Sequence, residues 1–325
     1  MTADSERWRF AVVVPSRDRA DLLATCLAAL LPQLDANAAV AIIVDDASKL
    51  PLIDAPATAA LLAHPNVRVV RRAQAGGPGA ARNEGLRLAR QHGVEVAVLL
   101  DSDCVPPPDY VQTHLAHHRE MPDAACVGGA VIGVGKGFWS RVDAAMSWFT
   151  SMPGMPARDV RYPVHIPTLN LSLKLASVDP FVEGLRYAGE DSFFVLDLVR
   201  RGRRIVYAGT PVLRHFDRVG FAAVFRHQYR WGYHTYWIRL GFDPSLAKRI
   251  LFALGILAAS PAYAILASYY ILSAWLPRRP SDWAIAPVVF ALSAAKAVAA
   301  SCGALFPSFA FYPGYSPLDR AKTQQ

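Results

Sequence analysis

Two aspartates one residue apart, Asp101 and Asp103 in "LLDSDCVPPPDY" (99–110), follow an apolar run that reads as a buried strand. Carboxylates so spaced at a strand end can hold Mg2+ or Mn2+, hard cations that prefer oxygen and share their sphere with substrate phosphates. A second acidic pair, Asp45 and Asp46, closes the apolar run "AVAIIVDDAS" (39–48). There the carboxylates can accept hydrogen bonds from ribose hydroxyls or a base imide. Between the two pairs, "GGPGAARNEG" (76–85) opens a helix whose free amides suit a phosphate, with Arg82 nearby. Pro15, Ser16 and Arg17 end a further apolar run and complete the set of polar strand ends. Each feature alone is also what a polar loop capping a helix looks like. Their succession points to a phosphorylated ligand beside a divalent cation.

Such residues need a scaffold that sets strand ends side by side. The pattern alternates: strand 10–16, helix 20–33, strand 39–48, strand 66–72, helix 78–93, strand 94–100. Continuous apolar strands between helices predict an α/β fold with a mostly parallel sheet covered on both faces. In such sheets ligands sit at the carboxyl ends of the strands, near a topological switch. The prolines from Pro106 forbid a helix directly after the second acidic pair.

The remaining composition is uneven. Hydrophobic residues reach 53% and charged residues only 18%, low for a soluble enzyme, and the excess is concentrated late in the chain. From 250 to 276 no residue is charged, and from 283 to 306 only Lys296 is. As one helix the first run would extend roughly 40 Å, enough to cross a bilayer with tilt. A pair of buried core helices would read similarly; the lengths favour a transmembrane hairpin with Tyr269, Tyr270, Trp275 and Trp283 near its interfaces. The polar start "MTADSERWRF" does not read as a signal peptide, so the first 248 residues and the tail are expected in the cytoplasm. The four cysteines form no CxxC pair and read as reduced thiols. Of the net charge of +8, ten arginines fall between 186 and 239 with four acids and no lysine. Without a nucleic-acid motif, that patch suits anionic lipid or phosphate-bearing substrates, not nucleic acid.

In order over about 100 residues, "VVVPSRDR", "VDDAS", "GGPGAARNEG" and "DSD" resemble a family 2 glycosyltransferase of the GT-A fold, in its membrane-attached bacterial form. The resemblance implies a Rossmann-like GT-A domain over 1–220, an amphipathic interface helix 221–248, two transmembrane helices in 249–306 and a cytoplasmic tail 307–325. It also implies an enzyme that transfers a sugar, with inversion, from a UDP- or GDP-linked donor. The acceptor is a lipid-linked or membrane-proximal glycan, and the place is the inner membrane. "GED" (189–191) is similar to the family's xED element, which makes Asp191 the catalytic base beside Glu190. "LRHF" (213–216) resembles the element whose histidine, here His215, joins Asp101 and Asp103 at the metal. "HQYRW" (227–231) is similar to the Q(Q/R)xRW acceptor motif, implying acceptor contacts from Gln228, Arg230 and Trp231; His227 replaces its first glutamine. Pro15, Ser16, Arg17, Asp45, Asp46, Arg82 and Asp101 are then the donor-binding residues. Two alternatives stay open: a sugar-1-phosphate nucleotidyltransferase, although "PSRDRADLL" lacks the glycines expected there, and an inert membrane scaffold of this fold.

Overall fold

The computed structural model describes residues 8–161, 166–186, 189–241, 244–307 and 312, without the side chains of Tyr236 and Trp237. The expected tail lies almost wholly outside the described residues. Two compact units interleave along the chain. The first takes Met1–Ile132, Ser151–Phe181 and Phe194–His215; the second takes Gly133–Thr150, Val182–Phe193 and Phe216–Gln325.

The first unit is built on a nine-stranded sheet of order β3-β2-β1-β4-β8-β6-β9-β5, with β7 paired to β9. In chain order it runs β1 (Phe10–Ser16), α1 (Ala20–Ala36), β2 (Ala39–Asp45), α2 (Ala59–Leu62), β3 (Val67–Arg71), α3 (Gly77–Gln91) and β4 (Val96–Leu100). Then come β5 (Cys104–Val105), α4 (Tyr110–Glu120), β6 (Cys126–Gly133), β7 (Arg158–Asp159), β8 (Asn170–Lys174) and β9 (Ile205–His215). Strands β1 to β4 pair in parallel. Apolar residues on both faces of β1 and β2 are buried, as a doubly covered sheet requires. The later strands pair antiparallel, β8 with β4 and β6, and β9 with β5 and β7. Parallel pairing thus holds for the N-terminal half only; the short strands after Leu100 gave no alternating signal long enough to expect the rest. Because the chain leaves β1 for β2 and β3 and returns to β4 on the other side, the switch point lies between β1 and β4. Helix α3 lies against β1 and β2 through Gly85, where a Cβ would run into the Val13 side chain.

The second unit contains α5 (Phe138–Trp148), the start of α6 (Glu190–Arg200), α7 (Phe221–Tyr233), α8 (Thr235–Leu240), α9 (Leu246–Ala258), α10 (Ser260–Trp275) and α11 (Ala286–Leu305). The expected interface helix is therefore two, broken at His234. Helix α11 packs against α7, α9 and α10. At Gly232 and Gly303 the α7 and α11 backbones are so close that a Cβ on either would strike the Lys296 or Tyr233 carbonyl. Lys296, the one charge of the second apolar run, lies 4.8 Å from the Trp231 ring centroid, a cation–π partner within the protein. The first apolar run differs from the single long helix expected. It breaks after Ala258 into two helices bent by 68°, with Pro261 in the first turn of α10. Proline is tolerated in a first turn and not in a helix interior, which places the break there. Among the described residues, Pro280–Leu305, the turn before α11 together with α11, is the one unbroken helical stretch long and apolar enough to cross a membrane, and half of its most apolar part is buried.

Candidate active site

Three loops meet at the carboxyl ends of β1, β2 and β4. Ser16 and Asp45 are register partners at the ends of β1 and β2. Asp45 is buried, and its Oδ1 accepts from the Ser48 amide (2.8 Å), its Oδ2 from the Leu52 amide (3.2 Å) and from Arg71 Nη1. Burial raises the pKa of this carboxyl, but hydrogen bonds from Ser48, Leu52 and Arg71 outweigh it and hold it below the usual range. Asp46 accepts from the amides of Gly76 and Gly77 (3.0 Å each) and faces Arg72 Nε at 3.1 Å. Both acids thus fix the loop and the start of α3. The free amides expected there for a phosphate are already taken in part by the Asp46 carboxylate, which the helix N-terminus stabilises.

The switch point itself is bridged. Arg19 Nη1, from the loop after β1, meets Asp103 Oδ2, from the loop after β4, at 2.5 Å. Arg82 Nη2, on α3, meets Asp101 Oδ1 at 2.9 Å. His215 Nε2 lies 3.7 Å from Asp103 Oδ1, because β5 and β9 set Cys104 opposite His215. Ser16 Oγ is buried beside these loops with no hydrogen bond among the described residues. Arg17 is turned towards Asp18 (3.8 Å) and half exposed, and Pro15 continues the strand. Cys26 and Cys104 are free and buried; burial, then the charges of Asp103 and Asp101, push both thiols up, so they stay neutral.

Among the described residues no group of three His, Cys, Asp or Glu is assembled for a metal. Asp103 and His215 are brought together, while Asp101 is directed to Arg82. A divalent cation would take two protein ligands here and complete its sphere with diphosphate oxygens and water, the usual arrangement for cations of this class at phosphate sites. The donor set of one carboxylate and one imidazole fits Mn2+ in that role.

In the second unit, Glu190 and Asp191 open α6, where the helix dipole favours negative charge. Glu190 is buried and Asp191 half-buried, its Oδ1 accepting from the Ser192 amide at 2.7 Å. Gly189 (φ 107°) lets the chain turn into the helix past His234, to which an added Cβ would come within 3.2 Å. On α7, Gln228 is fully buried with neither amide atom hydrogen-bonded among the described residues; Arg230 is exposed, and Trp231 packs with His227 (5.0 Å between rings) and Lys296.

Sequence reasoning missed Arg19, Arg71 and Arg72. The motif "PSRDR" carries two arginines, and only the register of the folded loops shows that the second, not the first, reaches Asp103.

Residues 11–185, more than half of the chain, match the family described as glycosyl transferase family 2. A search of curated proteins gives no sequence match. Among solved structures, the S. aureus TarS fragment 1–349 in complex with UDP-GlcNAc is similar at 18% identity and a TM-score of 0.53, covering 94% of this chain and 93% of that one. The mannosyltransferase PcManGT from Pyrobaculum calidifontis, in complex with GDP-Man and Mn2+, is similar at 18% identity and a TM-score of 0.55, covering 90% and 86%. With parallel strands feeding a switch point that is lined by Asp101, Asp103 and His215, the chain belongs to glycosyl transferase family 2 and is a nucleotide-sugar glycosyltransferase.

Proposed function

We propose that the protein transfers a sugar, with inversion and with Mg2+ or Mn2+, from a UDP- or GDP-linked donor to a hydroxyl of a lipid-linked or membrane-proximal glycan at the cytoplasmic face of the inner membrane. The observation that carries the donor half is the Arg19–Asp103–His215 cluster across the switch point. Arg82 and Arg19 supply guanidinium groups suited to the oxygens of a diphosphate. Bound at Asp103 and His215, the cation would offset charge on the leaving diphosphate. Arg19 and Arg82, paired with Asp103 and Asp101, would turn to the diphosphate as the cation takes the place of Arg19 on Asp103, and fixed charges of this kind are where electrostatic catalysis gains most. Asp191 is the acceptor's base: a half-buried carboxylate at a helix start, fixed by the Ser192 amide. Removing the hydroxyl proton as the bond forms contributes typically about 10²–10⁴-fold. Attack opposite the leaving group with one base inverts the anomeric centre. The similar structures, one with UDP-GlcNAc and one with GDP-Man and Mn2+, support testing both nucleotides.

The experiment is a donor screen with protein purified in detergent, reading released UDP or GDP with and without Mn2+, followed by the product's mass. Nucleoside diphosphate release that depends on Mn2+ and on an extracted lipid-linked acceptor supports the reading. Release of pyrophosphate would point instead to a nucleotidyltransferase, and no turnover with any donor to a scaffold.

A further inference from the structure

We propose that α9 and α10 form a bent wedge that enters and leaves one leaflet of an anionic bilayer, with α11 as the interior helix that braces it. The chain then holds to the membrane without crossing it. This inference does not depend on which sugar is transferred.

The first observation is the loop between α10 and α11. Asp282 in that loop is buried and accepts from Arg141 Nη1 (3.1 Å) and Trp275 Nε1 (3.0 Å). Arg141 belongs to α5, an 11-residue helix about 16 Å long that also carries Asp143. Such a helix is too short and too charged to lie across hydrocarbon. It begins five residues after β6 ends, so the chain keeps its start within about 18 Å of a sheet strand. A spanning hairpin would carry its connecting loop across about 30 Å of hydrocarbon, out of reach of Arg141. The ion pair therefore puts both ends of the apolar segment on one side.

The second observation concerns α11. It is braced by α5, α7, α8, α9 and α10 within its unit. Helix α7, pressed against it at Gly232, presents exposed Arg226 and Arg230 beside exposed Phe221 and Phe225, a mixture suited to water or the headgroup boundary and not to hydrocarbon. Half of the most apolar stretch of α11 is buried, with Phe290 and Val298 exposed, and most of the exposed apolar side chains of the segment stand on α9 and α10.

The third observation is the shape and chemistry of that surface. Leu251 (73% exposed), Leu254, Ile265, Leu266, Tyr269 and Tyr270 face outward. The apex, 257–262, is uncharged. Exposed Lys248 stands at one rim, and exposed Arg278 and Arg279 at the other. Legs of about 20 and 24 Å meeting at the observed bend place the apex about 12 Å below the line joining their ends. That depth lies within one leaflet of a hydrocarbon core about 30 Å thick. Basic rims on both sides complement anionic headgroups.

Two measurements test this. Single cysteines replace exposed Ser281, in the loop, or exposed Asp21, on α1, in the full-length chain carrying Cys302→Ser; both are labelled with a membrane-impermeant maleimide in spheroplasts and in inverted vesicles. Detergent-solubilised protein calibrates accessibility. Both positions should label from the cytoplasmic side, and labelling at 281 from the opposite side would overturn the proposal. Flotation with phosphatidylcholine–phosphatidylglycerol vesicles compares the wild type with Leu254→Ser/Ile265→Ser/Leu266→Ser, whose fold is checked by circular dichroism. The variant should bind about a hundredfold more weakly or worse. Equal flotation, or a wild type that ignores vesicles and self-associates through this face, refutes it.

Discussion

Lowering the pH from 7 to 4.5 should strip the first unit of much of its stability, through two buried histidines on α4. His114 is wholly buried on α4, with Nε2 3.0 Å from Asn170 Oδ1 and Nδ1 3.0 Å from Ser172 Oγ. Asn170 gives its Nδ2 to the Ala130 and Pro211 carbonyls, so its oxygen accepts and His114 carries its proton on Nε2. His118 Nε2 lies 2.9 Å from the same Ser172 hydroxyl. Burial, the largest cause in each case, pulls His114 down to about 3 and His118 down to about 4. The unfolded chain protonates near the ordinary 6.5, so below that pH it binds protons that the folded chain refuses. Their contribution is complete above about pH 6.5 and is lost as the pH falls towards the folded values. At pH 4.5 each histidine costs up to about 2.5 kcal/mol, about 5 kcal/mol together. That is a large part of a domain's usual margin. Urea midpoints at pH 7 and pH 4.5, read by tryptophan fluorescence, measure it. His114→Gln cannot titrate; it should be weaker at pH 7 yet lose roughly half as much between the two pH values. Carboxylates such as Asp45 contribute with the same sign, so the comparison of slopes is what counts. An unchanged slope in both His114→Gln and His118→Gln would refute the argument.

Asp191→Asn should lower turnover by about 10²–10⁴-fold with donor affinity nearly intact, measured by calorimetry beside transfer rate, and Glu190→Gln should be milder; a dead Glu190→Gln beside an active Asp191→Asn would reverse their roles. Asp103→Ala should lose donor binding and Mn2+ stimulation together while its melting temperature stays close to wild type, and chelator treatment of the wild type should reproduce the loss. Gly85→Ala, which drives a methyl into Val13, should cost about 1–3 kcal/mol in thermal or urea unfolding. Asp46→Asn removes the charge that faces Arg72 and receives the Gly76 and Gly77 amides, and should cost about 1–3 kcal/mol with a matching rise in donor KM.

The parallel strands were legible because their apolar runs are continuous and bounded by turn residues, as at 10–16 and 96–100. The acidic pairs were visible too, but not their partners. Asp45 meets Arg71 only because β2 and β3 pair with those two residues opposite each other, a register no local pattern encodes. For that reason the sequence shows Asp45 and Asp46 as candidate ligand contacts but not the protein amides and arginines that their oxygens also hold. The antiparallel half stayed hidden because β5 and β7 are two residues long. The break in the first apolar run has a local cause in Pro261, masked by the length of uncharged sequence around it. His114 and His118 gave no signal, since their network closes only when α4 lies over β8.

The backbone contacts at Gly232 and Gly303 bear on how this chain can be recombined. Helix α7 carries Gln228 and Trp231, and its position is set by α11, about 70 residues later in the chain, with Lys296 seated on Trp231. A hybrid joined between α8 and α9 would pair one protein's α7 with another's α11, and any side chain larger than hydrogen at either glycine would force the helices apart. The transferable piece is the set α5, α7 and α9 to α11, exchanged together so that Arg141 keeps Asp282. Helix α7 and the apolar segment should therefore move as one inheritance, and attempts to graft either alone should yield protein that folds poorly.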